Sequence, residues 1–229
     1  MSTVILLRHG RSTANTAKVL AGRTPGVELD ATGREQAAAV ARELASVGLV
    51  EIVSSPVLRC RQTADAVAAT TGLAVSEVAG LSECDYGDWS NRPLKELAEE
   101  PLWRTVQQRP SAAAFPGGES LRQMSARAVA AIAEVDARIT AENGPAAVWL
   151  AVSHGDPIKA VLADALGIHL DGFQRINVDP ASLSLVSLHE GQSRLVALNR
   201  TVGSLVDLIP AAPEAEATVG GSTGAGARG

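Results

Sequence analysis

"VILLRHGRSTAN", residues 4–15, sets the reading of the whole chain. Four apolar residues in succession make a short strand buried on both faces, the kind found inside parallel sheets. The strand runs into a tight turn at Gly10 that gathers Arg8, His9 and Arg11. Two guanidiniums beside an imidazole disfavour its protonated form, and folding alone gives no reason to collect such groups. An anion at the turn gives one. "LAVSHGDPIKA", residues 150–160, repeats the arrangement: apolar run, His154, Gly155, then a helix start.

Outward from these two turns, strand and helix alternate. "ATGREQAAAVARELASVG" reads as a helix in which Thr32 and Glu35 form a capping box and Gly48 marks the stop. "VEIVSS" reads as the next strand. "SPVLRCRQTADAVAATTG" follows as a helix with Ser55 at its N-cap, Pro56 in its first turn and Gly72 as terminator. Ser120 and Gln123 open another helix, and Leu121, Met124, Ala128, Ile132, Val135 and Ile139 keep helical spacing along it. "AAVWLAVS" is a strand, "DPIKAVLADALG" a helix with Asp156 at the N-cap, and "SLSLVSLHE" with "SRLVALNR" a hairpin turning near Gly191-Gln192. This alternation predicts a layered α/β fold with a mostly parallel central sheet.

One domain is expected over residues 1–209, with a flap or insertion at about 80–118. Residues 81–120 hold four prolines, three glycines and two of the three tryptophans, with short helices expected around 93–108. Excursions of this kind carry recognition more than scaffold. Residues 210–229 have almost no bulky apolar side chain and read as a disordered tail. Aromatics make up 3% of the chain, so the core must be built mainly from Ala, Val, Leu and Ile. A net charge of −5 without a basic run argues against nucleic-acid binding. No apolar stretch approaches a membrane span, and the N-terminus enters a strand without a leader, so a cytoplasmic setting is expected. There Cys60 and Cys84 read as reduced thiols, having neither metal-ligand nor disulfide spacing. His169 and His189 read as solvated positions, and Arg61 as one side of a surface ion pair.

In open α/β sheets ligands sit beyond the carboxyl ends of the strands. Both His-Gly turns and "SSPVLR" fall there, so Arg8, His9, Ser12, Asn15, Arg59 and His154 are expected around one crevice. Several planar guanidinium forks suit phosphate. A neutral imidazole is a competent nucleophile toward phosphorus, and the arginines stabilise the transferring phosphoryl group. An acid must protonate the departing alkoxide; Glu83, Asp85 and Asp88 in the insertion all qualify on this reasoning. Arg11 is a candidate for the substrate entrance. Tyr86 and Trp89 are candidates for the leaving-group site or for packing of the flap.

"LLRHGRSTAN" resembles the R-H-G-x-S/T-x-x-N signature of the histidine phosphatase superfamily, which includes the cofactor-dependent phosphoglycerate mutases. The resemblance extends in order through "GVELDATGREQA", "SSPVLRCRQTA", "LSECDYGDWSNR", "FPGGESL" and "VSHGDPIKA", about residues 4–200. It implies a three-layer α/β/α fold of the phosphoglycerate mutase type. It implies His9 as the phosphorylated nucleophile, with Arg8, Arg59 and His154 as the other members of the phosphate pocket. Asn15, the Gly155 backbone and Ser12 are implied as further contacts, Glu83 as proton donor, and no metal or other cofactor. The short insertion ending in "FPGGESL" resembles the small-molecule phosphatase branch, in a form labelled phosphomutase in actinobacteria.

The expected function is therefore hydrolysis of a small phosphorylated metabolite by a metal-independent phosphomonoesterase. The alternatives are a phosphomutase, which returns the phosphoryl group to a second hydroxyl, and a phospholigand-binding module without turnover. A homodimer, formed through a sheet edge or the insertion, is also considered.

Overall fold

Val4 and Leu6 point to one side of the first strand, Ile5 and Leu7 to the other, and each pair enters a different hydrophobic core. That strand must therefore lie between two layers. The computed structural model describes residues 2–188, 193–201 and Gly220. Its elements, in chain order, are β1 (Ser2–Arg8), α1 (Thr13–Ala17), β2 (Val19–Leu20), α2 (Ala31–Leu44), β3 (Glu51–Ser54), α3 (Leu58–Thr71) and β4 (Val75–Glu77). There follow β5 (Arg92–Pro93), α4 (Leu94–Leu97), α5 (Pro101–Gln108), α6 (Leu121–Asn143), β6 (Val148–Ser153), α7 (Gly155–Ala165), β7 (Leu183–Leu188) and β8 (Arg194–Arg200).

The central sheet has six strands in the order β4-β3-β6-β1-β7-β8. The first four run parallel, and β7 and β8 add antiparallel on one side. Helices α2 and α3 bury Val40, Ala41, Leu44, Ala64 and Val67 against one face. Helices α6 and α7 bury Leu121, Met124, Ile132, Ile139, Ile158 and Leu162 against the other. The fold is thus the expected α/β arrangement, a mostly parallel sheet flanked by helices. No described helix is long and apolar enough to cross a membrane. The turn expected near Gly191-Gln192 and the segment 210–229, apart from Gly220, lie outside the described residues.

Three helix starts differ from expectation. Helix α2 is capped by Asp30, whose Oδ1 accepts from the Gly33 N–H at 2.7 Å. The Thr32 hydroxyl accepts instead from Arg11. Helix α3 begins after Val57 with no side-chain cap on that residue; the Ser55 hydroxyl meets His154 Nε2 and accepts from one backbone N–H, that of Val57, at 3.3 Å. Helix α7 begins at Gly155, with His154 in the cap position and Asp156 inside the first turn.

The insertion is tied down by a two-stranded sheet, β2 against β5, and by an aromatic cluster. Trp89 stacks on Trp103 at 6.3 Å between ring centroids and meets Phe115 at 5.2 Å, while Tyr86 meets Phe115 edge-on at 4.9 Å. The β1–α1 turn packs against the start of α2 at unusually close range. A Cβ on Gly33 would lie 1.9 Å from the Arg11 carbonyl oxygen, so only glycine permits the approach.

Candidate active site

Parallel strands β1, β3 and β6 end side by side, and the end of each contributes to the site. Arg8 and His9 come from β1, Arg59 from the first turn of α3 after β3, and His154 from the end of β6. All four are buried, as is Glu83 from the insertion. A cavity at this point is lined by Arg8, His9, Ser12, Asn15, Arg59 and Glu83, with Gly22, Leu20, Leu94 and Tyr86 around them.

The orientation of His9 follows from its two contacts. Its Nδ1 lies 2.7 Å from the Gly10 carbonyl oxygen, which can only accept, so the ring proton sits on Nδ1. Nε2 is then a lone-pair nitrogen and accepts from Arg59 Nε at 3.0 Å. Burial, reinforced by the charges of Arg59 and Arg8, holds the imidazole well below its ordinary pKa. His9 is therefore neutral at physiological pH, with its nucleophilic nitrogen directed at a guanidinium.

Arg59 organises the site. Its Nη2 donates to the Gly22 carbonyl at 2.9 Å and to His154 Nδ1 at 2.9 Å. Its Nη1 is buried and has no hydrogen-bond partner among the described residues. A buried unpaired N–H costs about 1–3 kcal/mol, a penalty that an oxyanion bound there would remove. Arg8 Nη1 donates to the Val178 carbonyl at 2.7 Å. His154 lies 5.2 Å from His9, ring centroid to centroid. Because its Nδ1 accepts from Arg59, its proton lies on Nε2, which donates to Ser55 Oγ at 2.8 Å. Burial and the Arg59 charge hold this ring too well below its usual pKa.

Burial separates the three candidate acids. Asp88 is exposed, and Asp85 is half-buried and accepts from the Gly87 N–H. Glu83 alone enters the cavity, with Oε1 accepting from the Cys84 N–H at 2.9 Å. Burial first, and then the charge of Asp156, pushes its carboxyl up to about 7 against the opposing pull of Arg59 and Arg8. The backbone of this residue is clamped. Arg23 Nε and Arg127 Nη2 both donate to the Glu83 carbonyl, at 2.8 and 2.9 Å, and both arginines pair with Glu119.

Ser12 and Asn15 line the cavity, but they also form a reciprocal capping box at the start of α1. Arg11 does not line it; its guanidinium pairs with Asp30 at 2.7 Å. Trp89 is buried in the aromatic cluster and is likewise absent from the lining, whereas Tyr86 is present. Gly155 is buried as the first residue of α7. Residues that sequence reasoning passed over are Ser55, Gly22, Glu119, Arg127 and the Asp156 carboxylate. "FPGGES" was the one available signal for Glu119.

A sequence description of the histidine phosphatase superfamily (branch 1) matches residues 4–201. Phosphoserine phosphatase 1 of Hydrogenobacter thermophilus is 32% identical over 207 residues, covering 88% of this chain and 93% of that protein. A probable phosphoglycerate mutase of Yersinia enterocolitica is 31% identical over 192 residues, covering 83% and 86%. Among solved structures, mycobacterial glucosyl-3-phosphoglycerate phosphatase in complex with VO3 superposes with a TM-score of 0.79 at 28% identity, covering 87% of this chain and 99% of that one. His154, expected around the crevice, is not among the residues lining it but lies behind Arg59. With two guanidiniums and a neutral imidazole lining one cavity, and a family match over most of its length, the chain belongs to branch 1 of the histidine phosphatase superfamily.

Proposed function

We propose that the protein is a phosphomonoesterase that hydrolyses a small phosphorylated metabolite through a phosphohistidine on His9. The observation that carries this is the His9 ring itself: neutral, with its free nitrogen inside a cavity beside Arg59. In the first step Arg59 Nε turns from His9 Nε2 to a phosphoryl oxygen, and the freed Nε2 lone pair attacks phosphorus in line. The P–O bond to the alcohol breaks, and the Glu83 carboxyl proton passes to the departing oxygen. Arg8 and Arg59 hold the phosphoryl oxygens, with Arg59 Nη1 gaining an acceptor, and His154 joins them by turning its Nε2–H from Ser55 to an oxygen. In the second step Glu83, now a carboxylate, takes a proton from water as the water oxygen attacks phosphorus. The P–N bond breaks and returns neutral His9 with inorganic phosphate. Guanidiniums meet the phosphoryl charge throughout, so the reaction runs without a metal. Ser12, Asn15 and the Gly155 backbone add contacts at the rim of the phosphate site.

The named phosphatases among the relatives support this reading. The mutase-named relative favours the second reading, return of the phosphoryl group to another hydroxyl. The described residues lining the cavity include no Lys or Arg besides Arg8 and Arg59, so nothing cationic is left there for a second, carboxylate-bearing substrate. A pure binding module would gain nothing from a protonated Glu83. The enzyme is further proposed to work in the cytoplasm, keeping both buried thiols reduced. Exposed Val196 and Leu198 on edge strand β8 support a homodimer, to be read by sedimentation.

The test is phosphate release across a metabolite panel with EDTA present, beside phosphoglycerate isomerisation with a bisphosphate primer. Turnover in EDTA and an acid-labile phosphoenzyme on rapid quench are expected. His9→Ala is expected to lower turnover by more than ~10³-fold with the fold intact. Isomerisation outpacing release would instead assign the mutase.

A further inference from the structure

Gly220 sits in the cavity, and its two backbone groups show what the inner wall accepts. Its carbonyl oxygen accepts from Arg8 Nη2 at 3.4 Å. Its N–H donates to Asp156 Oδ2 at 3.2 Å. The same carboxylate oxygen accepts from the Tyr86 hydroxyl at 2.8 Å. A Cβ on Gly220 would lie 3.3 Å from Leu20 Cδ1 and 3.5 Å from Tyr86 Oη. Asp156 is fully buried; its Oδ1 has no hydrogen bond among the described residues and lies 3.8 Å from Lys159 Nζ. Lys159 is itself buried, held by Gln174 Oε1 at 3.0 Å and by the Phe173 ring.

A phosphoryl group held by Arg8 takes the place of the Gly220 carbonyl. The Gly220 N–H leaves with it, and Asp156 Oδ2 is then a buried acceptor facing the organic part of the substrate. The Tyr86 hydroxyl still donates to Oδ2, but a buried carboxylate oxygen that loses one of its two donors is left with an unused lone pair, so the wall favours a substrate group that replaces it. Lys159 faces the other oxygen and fixes the carboxylate, which lies behind Gly220, while Glu83 lines the cavity in front. A carboxylate on the substrate at this point would meet two acids; an ammonium or a hydroxyl would meet a partner.

We infer that Asp156, with Tyr86, forms a leaving-group subsite that selects phosphomonoesters whose alcohol carries a hydrogen-bond donor, an ammonium above a hydroxyl. The inference rests on the phosphomonoesterase reading. It makes Asp156 a specificity determinant distinct from the phosphate ligands.

Three esters on the same two-carbon chain test it: ethyl phosphate, 2-hydroxyethyl phosphate and 2-aminoethyl phosphate. Each is used as a competitor of p-nitrophenyl phosphate hydrolysis by the full chain, and its inhibition constant is measured. The aminoethyl ester is expected to bind at least ~10-fold more tightly than the ethyl ester, the hydroxyethyl ester lying between, on the scale of one charged hydrogen bond. Asp156→Asn is expected to reduce the aminoethyl-to-ethyl ratio to within about twofold of unity, while the hydroxyethyl ester keeps part of its advantage. Equal constants for the three esters in the wild-type protein overturn the subsite, as does a ratio that survives Asp156→Asn. The wild-type comparison stands even where the variant fails to fold. Absence of p-nitrophenyl phosphate hydrolysis would overturn the phosphomonoesterase reading, and the subsite with it. Hydrolysis together with equal constants overturns the subsite alone.

Discussion

Arg59 divides its guanidinium among His9, His154 and the Gly22 carbonyl, which no point charge can do. Arg59→Lys is therefore expected to lower kcat by about 10²-fold although the charge is kept, read by steady-state kinetics on p-nitrophenyl phosphate. Glu83 yields a second prediction at this scale. Its carboxyl is held at about 7, and the first step needs it protonated, so kcat/KM should fall as pH rises through 7. The same shift has a stability consequence. The folded state binds a proton that the unfolded chain releases between pH 4.5 and about 7, so wild-type stability falls across that window. Glu83→Gln removes a penalty on the order of 3 kcal/mol at pH 8. Its melting temperature should exceed that of the wild type at pH 8, and the gap should close at pH 4.5. Choosing Glu83 over Asp85 and Asp88 from spacing alone was not possible. Three acids within six residues look alike until burial distinguishes them, and burial depends on Arg23 and Arg127 reaching in from elsewhere.

At the scale of elements, apolar runs and helical spacing carried the strands and helices, since short-range periodicity is written in the residues themselves. The helix starts were less legible, because a capping hydroxyl can be recruited by a distant partner. Ser55 has the residue type of an N-cap, yet its hydroxyl lies against His154, 99 positions away. Thr32 likewise serves Arg11 while Asp30 caps α2. Ser55 thus holds the His154 ring in place without touching substrate. Ser55→Ala should lower kcat by about tenfold and cost about 1–3 kcal/mol of stability, because the buried Nε2–H of His154 loses its acceptor. Ser55→Thr, which keeps the hydroxyl, should restore most of the rate. A loss of stability in Ser55→Ala with kcat unchanged would show a purely structural role instead.

Across the whole molecule, the order β3-β6-β1 makes one site from residues 8–9, 59 and 154. Neighbouring parallel strands place their carboxyl ends together, so the convergence was predictable once alternation of strand and helix had been read. The way the insertion closes the site was not, since it depends on glycine-tight turns, a two-residue strand pair and ring packing. The acidic inner wall was hidden for a related reason: Asp156 looked like a helix cap and became a buried carboxylate.

Cys60 packs its sulfur 3.4 Å from His154 Nε2, and burial pushes its thiol up to about 12. Cys84, next to Glu83, is equally enclosed. Neither sulfur can meet a water-borne disulfide reagent until the walls part. The pace at which Ellman's reagent colours the intact protein is therefore an internal gauge of how often the catalytic chamber breathes. Vanadate should slow that colour in proportion to its occupancy, and fast labelling indifferent to vanadate would mean the thiols are reached by another door.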